Sequence, residues 1–165
     1  MRITSKVCVS VLLVVIGFVS GRNYKIGKQV ELSSNRQDAE KYFSLFLLMN
    51  QWVRIKQKNR SITEYFVAKG YKHIAIYGMN YVGKTLLTEL ENSEVCVEYG
   101  IDQNADQICC DIEIINPEQE MRDVDLLVIT PIYYYNDIAQ KLSSKVKCPM
   151  VSIEDILYDM QQSFS

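Results

Sequence analysis

The sequence predicts an α/β fold built on a doubly wound parallel sheet of about five strands in the order 3-2-1-4-5. Helices and an N-terminal hydrophobic segment precede the sheet. Two observations support this fold class. Over residues 71–165 short apolar runs alternate with helical patterns, and the runs are almost continuously apolar, as in strands covered on both faces. Right-handed crossovers between such strands give the doubly wound order.

Residues 1–21 contain an uncharged run, VCVSVLLVVIGFVSG, which extends from Val7 to Gly21 between Lys6 and Arg22. We expect a membrane anchor, because the flanking basic side chains can snorkel and the bilayer can thin around a short span. A cleaved signal peptide and a buried strand are the alternatives. The flank after the run is the more basic one, which places the following domain on the cytoplasmic side of the membrane.

The polar residues 22–37 predict a linker, and residues 38–70 predict a helical segment. Within 38–58, aromatic and aliphatic residues recur at three- and four-residue spacing, so this part is expected to form a helix with one broad apolar face. Trp52 on that face is expected to pack into the core of the next domain. A surface for a partner helix is the alternative.

Residues 71–165 predict the domain that contains the sheet. The first strand, KHIAIYG, ends at a glycine and leads directly into a helical pattern. The later expected elements are strands at 94–102, 106–115 and 123–130, a helix at 137–146, a strand at 149–153 and a helix at 154–162.

The turn after the first strand, GMNYVGKT from Gly78 to Thr85, fits two phosphate-binding patterns. It satisfies the P-loop pattern G-x-x-x-x-G-K-[ST], and it also reads as the dinucleotide-binding G-x-G-x-x-G with Asn80 at the middle glycine. A P-loop enzyme also needs an acidic residue at the end of another strand to hold magnesium. The fourth strand ends at Thr130-Pro131 without one, so the P-loop interpretation lacks its partner.

The dinucleotide-binding interpretation finds its other requirements in the chain. Gly78 supplies the turn, and Gly83 allows close contact between helix and strand. Asp102 ends the second strand at about the twenty-residue distance required for a carboxylate that binds the ribose. Asn80 is the departure, because its side chain crowds the path of a pyrophosphate. We therefore predict a Rossmann-like domain.

The expected cofactor is NAD or a nucleotide-sugar, held where the strands end. The predicted cofactor-binding residues are Gly78, Met79, Asn80, Val82, Gly83, Asp102 and Thr130. We expect no metal site, because the chain has one histidine, His73, and no C-x-x-C pair. No nucleic-acid partner is expected either, because the net charge is only −2.

Between about residues 43 and 156, the chain resembles small Rossmann-like proteins of bacterial capsular and exopolysaccharide biosynthesis. The segments that carry the resemblance are WVRIKQ, SITEYFVAKGYKHIAIYGMNYVGKTLLTEL, YGIDQNAD, VDLLVITPIYY and PMVSIEDIL. In those proteins the turn reads approximately I-Y-G-M-G-x-x-G, so Gly78 and Gly83 match and Asn80 departs. The resemblance implies a nucleotide-related domain in a surface-glycan pathway, with glycan-assembly enzymes as partners and a bacterial cell membrane as the location.

The expected function is that of a membrane-tethered accessory module that binds a nucleotide or nucleotide-sugar, or that docks onto glycan-assembly enzymes. No Ser-His-Asp constellation is visible, and no second domain follows the sheet, so we expect no catalysis. The alternative is a P-loop ATP-binding enzyme, such as an accessory kinase of a capsule pathway. In that case Lys84 and Thr85 would bind the phosphates and magnesium, and tyrosines 133–135 would accept phosphate.

Overall fold

The computed structural model describes residues 36–163. The expected anchor or signal peptide, residues 1–21, lies outside the described residues, and so does most of the expected linker. Residues 36 and 37, which were predicted to end the linker, are already helical. Within residues 36–163, no helix is long and apolar enough to cross a membrane.

The chain divides into two compact units, residues 1–43 and 44–165. Residues 36–57 are helical and are called α1. In the first unit the described residues, 36–43, carry an ion pair of 3.1 Å between Arg36 and Glu40, one helical turn apart. The sheet and all the other elements belong to the second unit.

The second unit is built around five parallel strands in the order β3-β2-β1-β4-β5, as predicted. The strands are β1 (His73–Tyr77), β2 (Cys96–Ile101), β3 (Ile114–Ile115), β4 (Leu126–Ile129) and β5 (Met150–Ser152). The further helices are α2 (Thr63–Lys69), α3 (Tyr81–Leu90), α4 (Tyr135–Leu142) and α5 (Ile153–Gln162). This parallel α/β arrangement is consistent with a Rossmann-like fold.

Alternate residues of each strand point to opposite faces of the sheet, and both sets are apolar here. Helices therefore cover both faces. On one face, residues such as Ile74 and Leu126 form a core with α2, α3, α5 and residues 48–55 of α1. Trp52 belongs to this core and is 3% exposed, so its expected packing is confirmed. On the other face, residues such as Tyr99 and Leu127 pack against α4.

The prediction of a long third strand was wrong. Only Ile114 and Ile115 pair with β2, whereas residues 105–107 form a 3-10 turn and the following residues form a loop. β3 is an edge strand with one neighbour, so few backbone hydrogen bonds hold it in place. The alternating pattern of DQICCDIE therefore marks a loop, in which Cys109 is exposed and Cys110 half-buried.

The register of the central strands brings three loops to one edge of the sheet. Tyr77 at the end of β1 pairs with Ile101 of β2 and with Ile129 of β4. The residues that follow these strands therefore meet at the carboxyl edge, where open parallel sheets bind ligands. From β1 the chain adds β2 and β3 on one side and then β4 and β5 on the other side, so the carboxyl end of β1 is also the switch point of the sheet.

Candidate functional site

Gly78 forms the sharp turn at the end of β1. Its φ is +90°, a conformation that glycine adopts without strain. Its backbone N–H donates to the carbonyl of Ile101 over 2.8 Å, which holds the turn against the end of β2. A Cβ at this position would lie 2.6 Å from Pro131 Cδ and 2.8 Å from Thr130 Oγ1. The residues that follow β4 therefore pack directly on the turn.

Gly83 provides the close contact between helix and strand for which the dinucleotide pattern reserves its last glycine. It is buried in the first turn of α3, and a Cβ there would lie 2.1 Å from the carbonyl oxygen of Gly78. No side chain fits in this space. The amino end of α3 is thus fixed directly above the end of β1.

Asn80 is the N-cap of α3. Its backbone is extended, with φ −79° and ψ −160°, and its Oδ1 accepts the N–H of Val82 over 3.1 Å. Asparagine is among the best N-cap residues because it satisfies a donor that the helix leaves open. The side chain of Asn80 therefore already accepts the N–H of Val82, one of the donors that a bound phosphate would use.

Asp102 lies beside the turn, at the end of β2. Its Oδ2 accepts the N–H of Met79 over 2.8 Å, and its Oδ1 accepts the N–H of Asn104 over 2.9 Å. Each carboxylate oxygen has a second lone pair, so these bonds leave acceptor capacity for a ribose hydroxyl. The half-buried carboxylate joins the turn to the neighbouring strand.

Met79 and Thr130 are buried and support the turn through contacts in the protein interior. Both are 2% exposed. Met79 covers Gly100 of β2, where a Cβ would lie 2.9 Å from the methionine sulfur. The hydroxyl of Thr130 donates to the carbonyl of Gly78 over 2.6 Å, so its proton is already engaged in the fold. Val82, another residue predicted to bind the cofactor, packs into the core through its side chain.

Three backbone donors remain open around the turn. The N–H groups of Asn80, Tyr81 and Gly83 have no hydrogen-bond acceptor within residues 36–163. They lie at the amino end of α3, where the helix dipole favours a negative charge. This edge therefore presents open backbone donors, with the Asp102 carboxylate beside them.

Lys84 and Thr85 point to another part of the surface. Both line a groove between α1 and α3, together with Trp52. The hydroxyl of Thr85 donates to the carbonyl of Tyr81 over 2.7 Å within its own helix. Glu89, the acidic residue that lines this groove, accepts hydrogen bonds from Trp52, Lys56 and the N–H of Ile62. The arrangement that a P-loop enzyme needs for magnesium is not formed by these groups.

The groove between α1 and α3 is a feature that the sequence analysis did not identify. It has a volume of about 650 Å³, and apolar and aromatic residues form much of its wall. Tyr81 at its edge is 86% exposed, and Val53 is 50% exposed. The exposed apolar stripe of α1 was visible in its periodicity, but its pairing with α3 depends on how the helices pack.

Of the three tyrosines that follow β4, one is packed and two are exposed. Tyr135 is half-buried and its hydroxyl donates to the carbonyl of Met150 over 3.0 Å. Tyr133 and Tyr134 are exposed, and their rings meet edge to face at 5.3 Å.

Comparison with protein-family models, with curated proteins and with solved structures finds no match to this chain.

Proposed function

We propose that this chain is a non-catalytic accessory module that binds the phosphate and ribose of a nucleotide or nucleotide-sugar at the carboxyl edge of its sheet. The observation that carries the proposal is the turn after β1. Gly78 and Gly83 bring the amino end of α3 against the strand, and three open N–H groups adjoin the Asp102 carboxylate. Backbone donors suit a phosphate, and a carboxylate suits a ribose hydroxyl.

NAD and a UDP-sugar are the ligands that we propose to test, because both present a pyrophosphate and a ribose. A carboxylate at the position of Asp102 disfavours a 2′-phosphate, so NADP is the poorer candidate. Asn80 limits the site, since its side chain uses the N–H of Val82. We accordingly expect weaker binding than in a fold with glycine at this position.

The cellular role that we propose is in bacterial surface-polysaccharide biosynthesis, at the cytoplasmic side of the membrane. Two features of the sequence support it: the resemblance carried by segments such as VDLLVITPIYY, and the apolar run 7–21 with its basic flank. The partners would be membrane-bound glycan-assembly enzymes, which consume nucleotide-sugars.

Docking onto such an enzyme is a second candidate function, and the groove between α1 and α3 favours it. Tyr81 and Val53 expose apolar surface there, and Lys84 flanks it, whereas the charge of Lys56 is balanced by Glu89 at 3.0 Å. We propose that an apolar segment with an acidic residue beside it is the occupant, because it would match both the apolar surface and the charge of Lys84. The alternative of a P-loop ATP-binding enzyme has less support, since Lys84 and Thr85 face this groove.

Ligand-induced stabilisation of the full chain tests the nucleotide proposal. A ligand at about one hundred times its Kd stabilises a protein by ~2.7 kcal/mol, so NAD or a UDP-sugar should raise the Tm by several degrees. No turnover should accompany the shift. Asp102→Asn should reduce the shift, whereas Asp106→Asn, an exposed carboxylate in the next turn, should not.

Two results would redirect the proposal. If neither NAD nor a UDP-sugar raises the Tm, docking is the version of the accessory-module proposal that remains. The full chain should then co-purify with a membrane-bound glycan-assembly enzyme. Tyr81→Ser should abolish this co-purification, whereas Tyr158→Ser, which changes an exposed tyrosine on α5, should not. If the chain hydrolyses ATP with magnesium and Lys84→Ala abolishes that activity, the P-loop alternative is correct.

A further inference from the structure

Three side chains with metal-binding atoms meet at the amino edge of the sheet, opposite to the candidate nucleotide site. They are His73 at the start of β1, and Cys96 and Glu98 in β2. One ligand atom from each residue lies within 4.8 Å of the other two. The sequence does not reveal this cluster, because His73 lies more than twenty residues before Cys96 and Glu98, in another strand, and no C-x-x-C or histidine pair marks it.

Strand pairing brings the three residues together. His73 and Cys96 are direct partners in the parallel register. The register then shifts, because Ile74 pairs with Val97 and Ala75 with Tyr99, which leaves Glu98 as an extra residue in β2. The ligand atoms of Cys96 and Glu98 lie within 4.8 Å of each other, so both side chains point to the same side of the strand. Such irregularities re-aim side chains, and here the extra residue carries the carboxylate.

We propose that His73, Cys96 and Glu98 form a binding site for a zinc-class divalent cation, with one coordination position open. The ligand set decides the class of metal. A thiolate and an imidazole favour zinc over magnesium or calcium, which take oxygen ligands. Three protein ligands leave the fourth tetrahedral position for water or for a ligand from a partner protein. The two anionic ligands balance the charge of the cation.

The spacing of the ligand atoms is close to what the cation requires. Zn–N and Zn–S bonds of about 2.0–2.3 Å place tetrahedral ligand atoms roughly 3.3–3.8 Å apart. Nδ1 of His73 and Oε1 of Glu98 are 2.6 Å apart, so they would separate slightly. All pairs lie within 4.8 Å, so no pair would have to close by more than about 1.5 Å. The side chain of His73 is 59% exposed and that of Glu98 36%, so both can make this adjustment by rotation.

Hydrogen bonds from neighbouring side chains hold the backbone of His73 and Glu98 in place. The Asp125 carboxylate accepts the N–H groups of Lys72 and His73, both over 2.8 Å, which holds the start of β1 in place. The guanidinium of Arg122 donates to the carbonyl of Glu98 over 3.2 Å. Two of the ligands therefore stand on backbone that is already held by hydrogen bonds, so little ordering is needed when the cation binds.

Binding of the cation is an exchange for a proton. The cation forms a bond to the sulfur of Cys96, and the thiol releases its proton to the solvent, so the affinity should rise with pH.

Titration of the full chain with Zn²⁺, and with Co²⁺ as a spectroscopic substitute, tests this site. We expect one cation per chain and a cobalt absorption band that arises from a thiolate ligand. Cys96→Ser should remove that band and weaken binding at least about tenfold, and His73→Gln and Glu98→Gln should also weaken binding. Cys109→Ser, which changes an exposed cysteine in the loop before β3, should leave binding and spectrum unchanged.

The proposal is wrong if the full chain binds no cation. It is also wrong if Cys96→Ser still binds Co²⁺ with the thiolate absorption band, or if Cys109→Ser abolishes cation binding. The Tm of each variant without metal provides the folding control. All three ligands lie at the surface, so these values should stay within about 1 °C of the wild type. This test is independent of nucleotide binding, because the two sites lie at opposite edges of the sheet.

Discussion

The indole Nε1–H of Trp52 donates a hydrogen bond of 2.6 Å to Oε2 of Glu89 and thereby ties α1 to α3. The other carboxylate oxygen of Glu89 accepts from Lys56 Nζ at 3.0 Å, from the N–H of Ile62 at 2.8 Å and from the hydroxyl of Ser61 at 3.2 Å. The side chain of Glu89 is only 10% exposed. One carboxylate therefore connects α1, α3 and the start of α2.

Replacement of Glu89 should be among the more costly changes in this chain. Glu89→Ala leaves the Trp52 and Ile62 donors without an acceptor, at about 1–3 kcal/mol for each buried donor, so we expect a loss of roughly 2–6 kcal/mol. Glu89→Gln keeps one acceptor oxygen and should cost less. Urea unfolding measures both. Glu91→Ala, at the exposed end of the same helix, is the control and should change the free energy of unfolding by less than about 0.5 kcal/mol.

The same carboxylate should make stability depend on pH. Burial raises the pKa of Glu89, but hydrogen bonds from Ile62, Lys56 and Trp52 outweigh it and lower the pKa below its ordinary value. A lowered pKa in the folded state stabilises the protein above the unfolded pKa of about 4.3, and this contribution is lost as the pH falls through the folded pKa. The difference in unfolding free energy between wild type and Glu89→Gln should therefore shrink below about pH 4. A constant difference from pH 7 to pH 3 would contradict the assignment.

Asn80→Gly should strengthen binding of NAD or a UDP-sugar. The change frees the N–H of Val82 and removes the side chain from the amino end of α3. Glycine is a tolerable N-cap, so the protein should lose only a few tenths of a kcal/mol, whereas Asn80→Ala should lose about 1 kcal/mol. Calorimetric titration of the three proteins measures the affinity. An affinity unchanged in Asn80→Gly would mean that the phosphate does not approach this turn.

Gly83→Ala should disrupt the contact between α3 and β1. The added methyl group would lie 2.1 Å from the backbone carbonyl of Gly78, which cannot rotate away as a side chain can. Overpacking of this kind costs typically 1–3 kcal/mol and sometimes more. Thermal unfolding should show a drop in Tm of several degrees. Lys84→Ala, the next residue on the exposed side, should leave the Tm almost unchanged, and equal Tm values for the two variants would refute the contact.

Thr130→Val should reduce stability without a direct effect on ligand affinity. The hydroxyl that it removes donates to the Gly78 carbonyl at 2.6 Å and is buried. Loss of such a hydrogen bond costs about 0.5–1.5 kcal/mol. Chemical unfolding should show this loss, while the Kd of any nucleotide that binds the wild type should change by less than about threefold at a temperature where both proteins are folded. A large loss of affinity with unchanged stability would place Thr130 in contact with the ligand instead.

The amino-acid sequence alone was sufficient for the order of the sheet and for the sharp turn after β1. Both depend on local properties: continuous apolar runs mark buried strands, and the glycine directly after the first strand, Gly78, marks a turn that leads into a helical pattern. The extent of β3 could not be read in the same way. An edge strand depends on how much of its neighbour it can pair with, and only two residues do so.

Tertiary structure decided which polar groups meet. Spacing placed Asp102 near the turn, but only the folded chain shows that its oxygens hold the backbone of Met79 and Asn104. The same applies to Glu89 beneath Trp52, and to the cluster of His73 with its two neighbours in β2. Hydrophobic periodicity is a property of a short segment, whereas strand register and helix packing join residues that are far apart in the chain. The identity of each partner therefore emerges only when the sheet has formed.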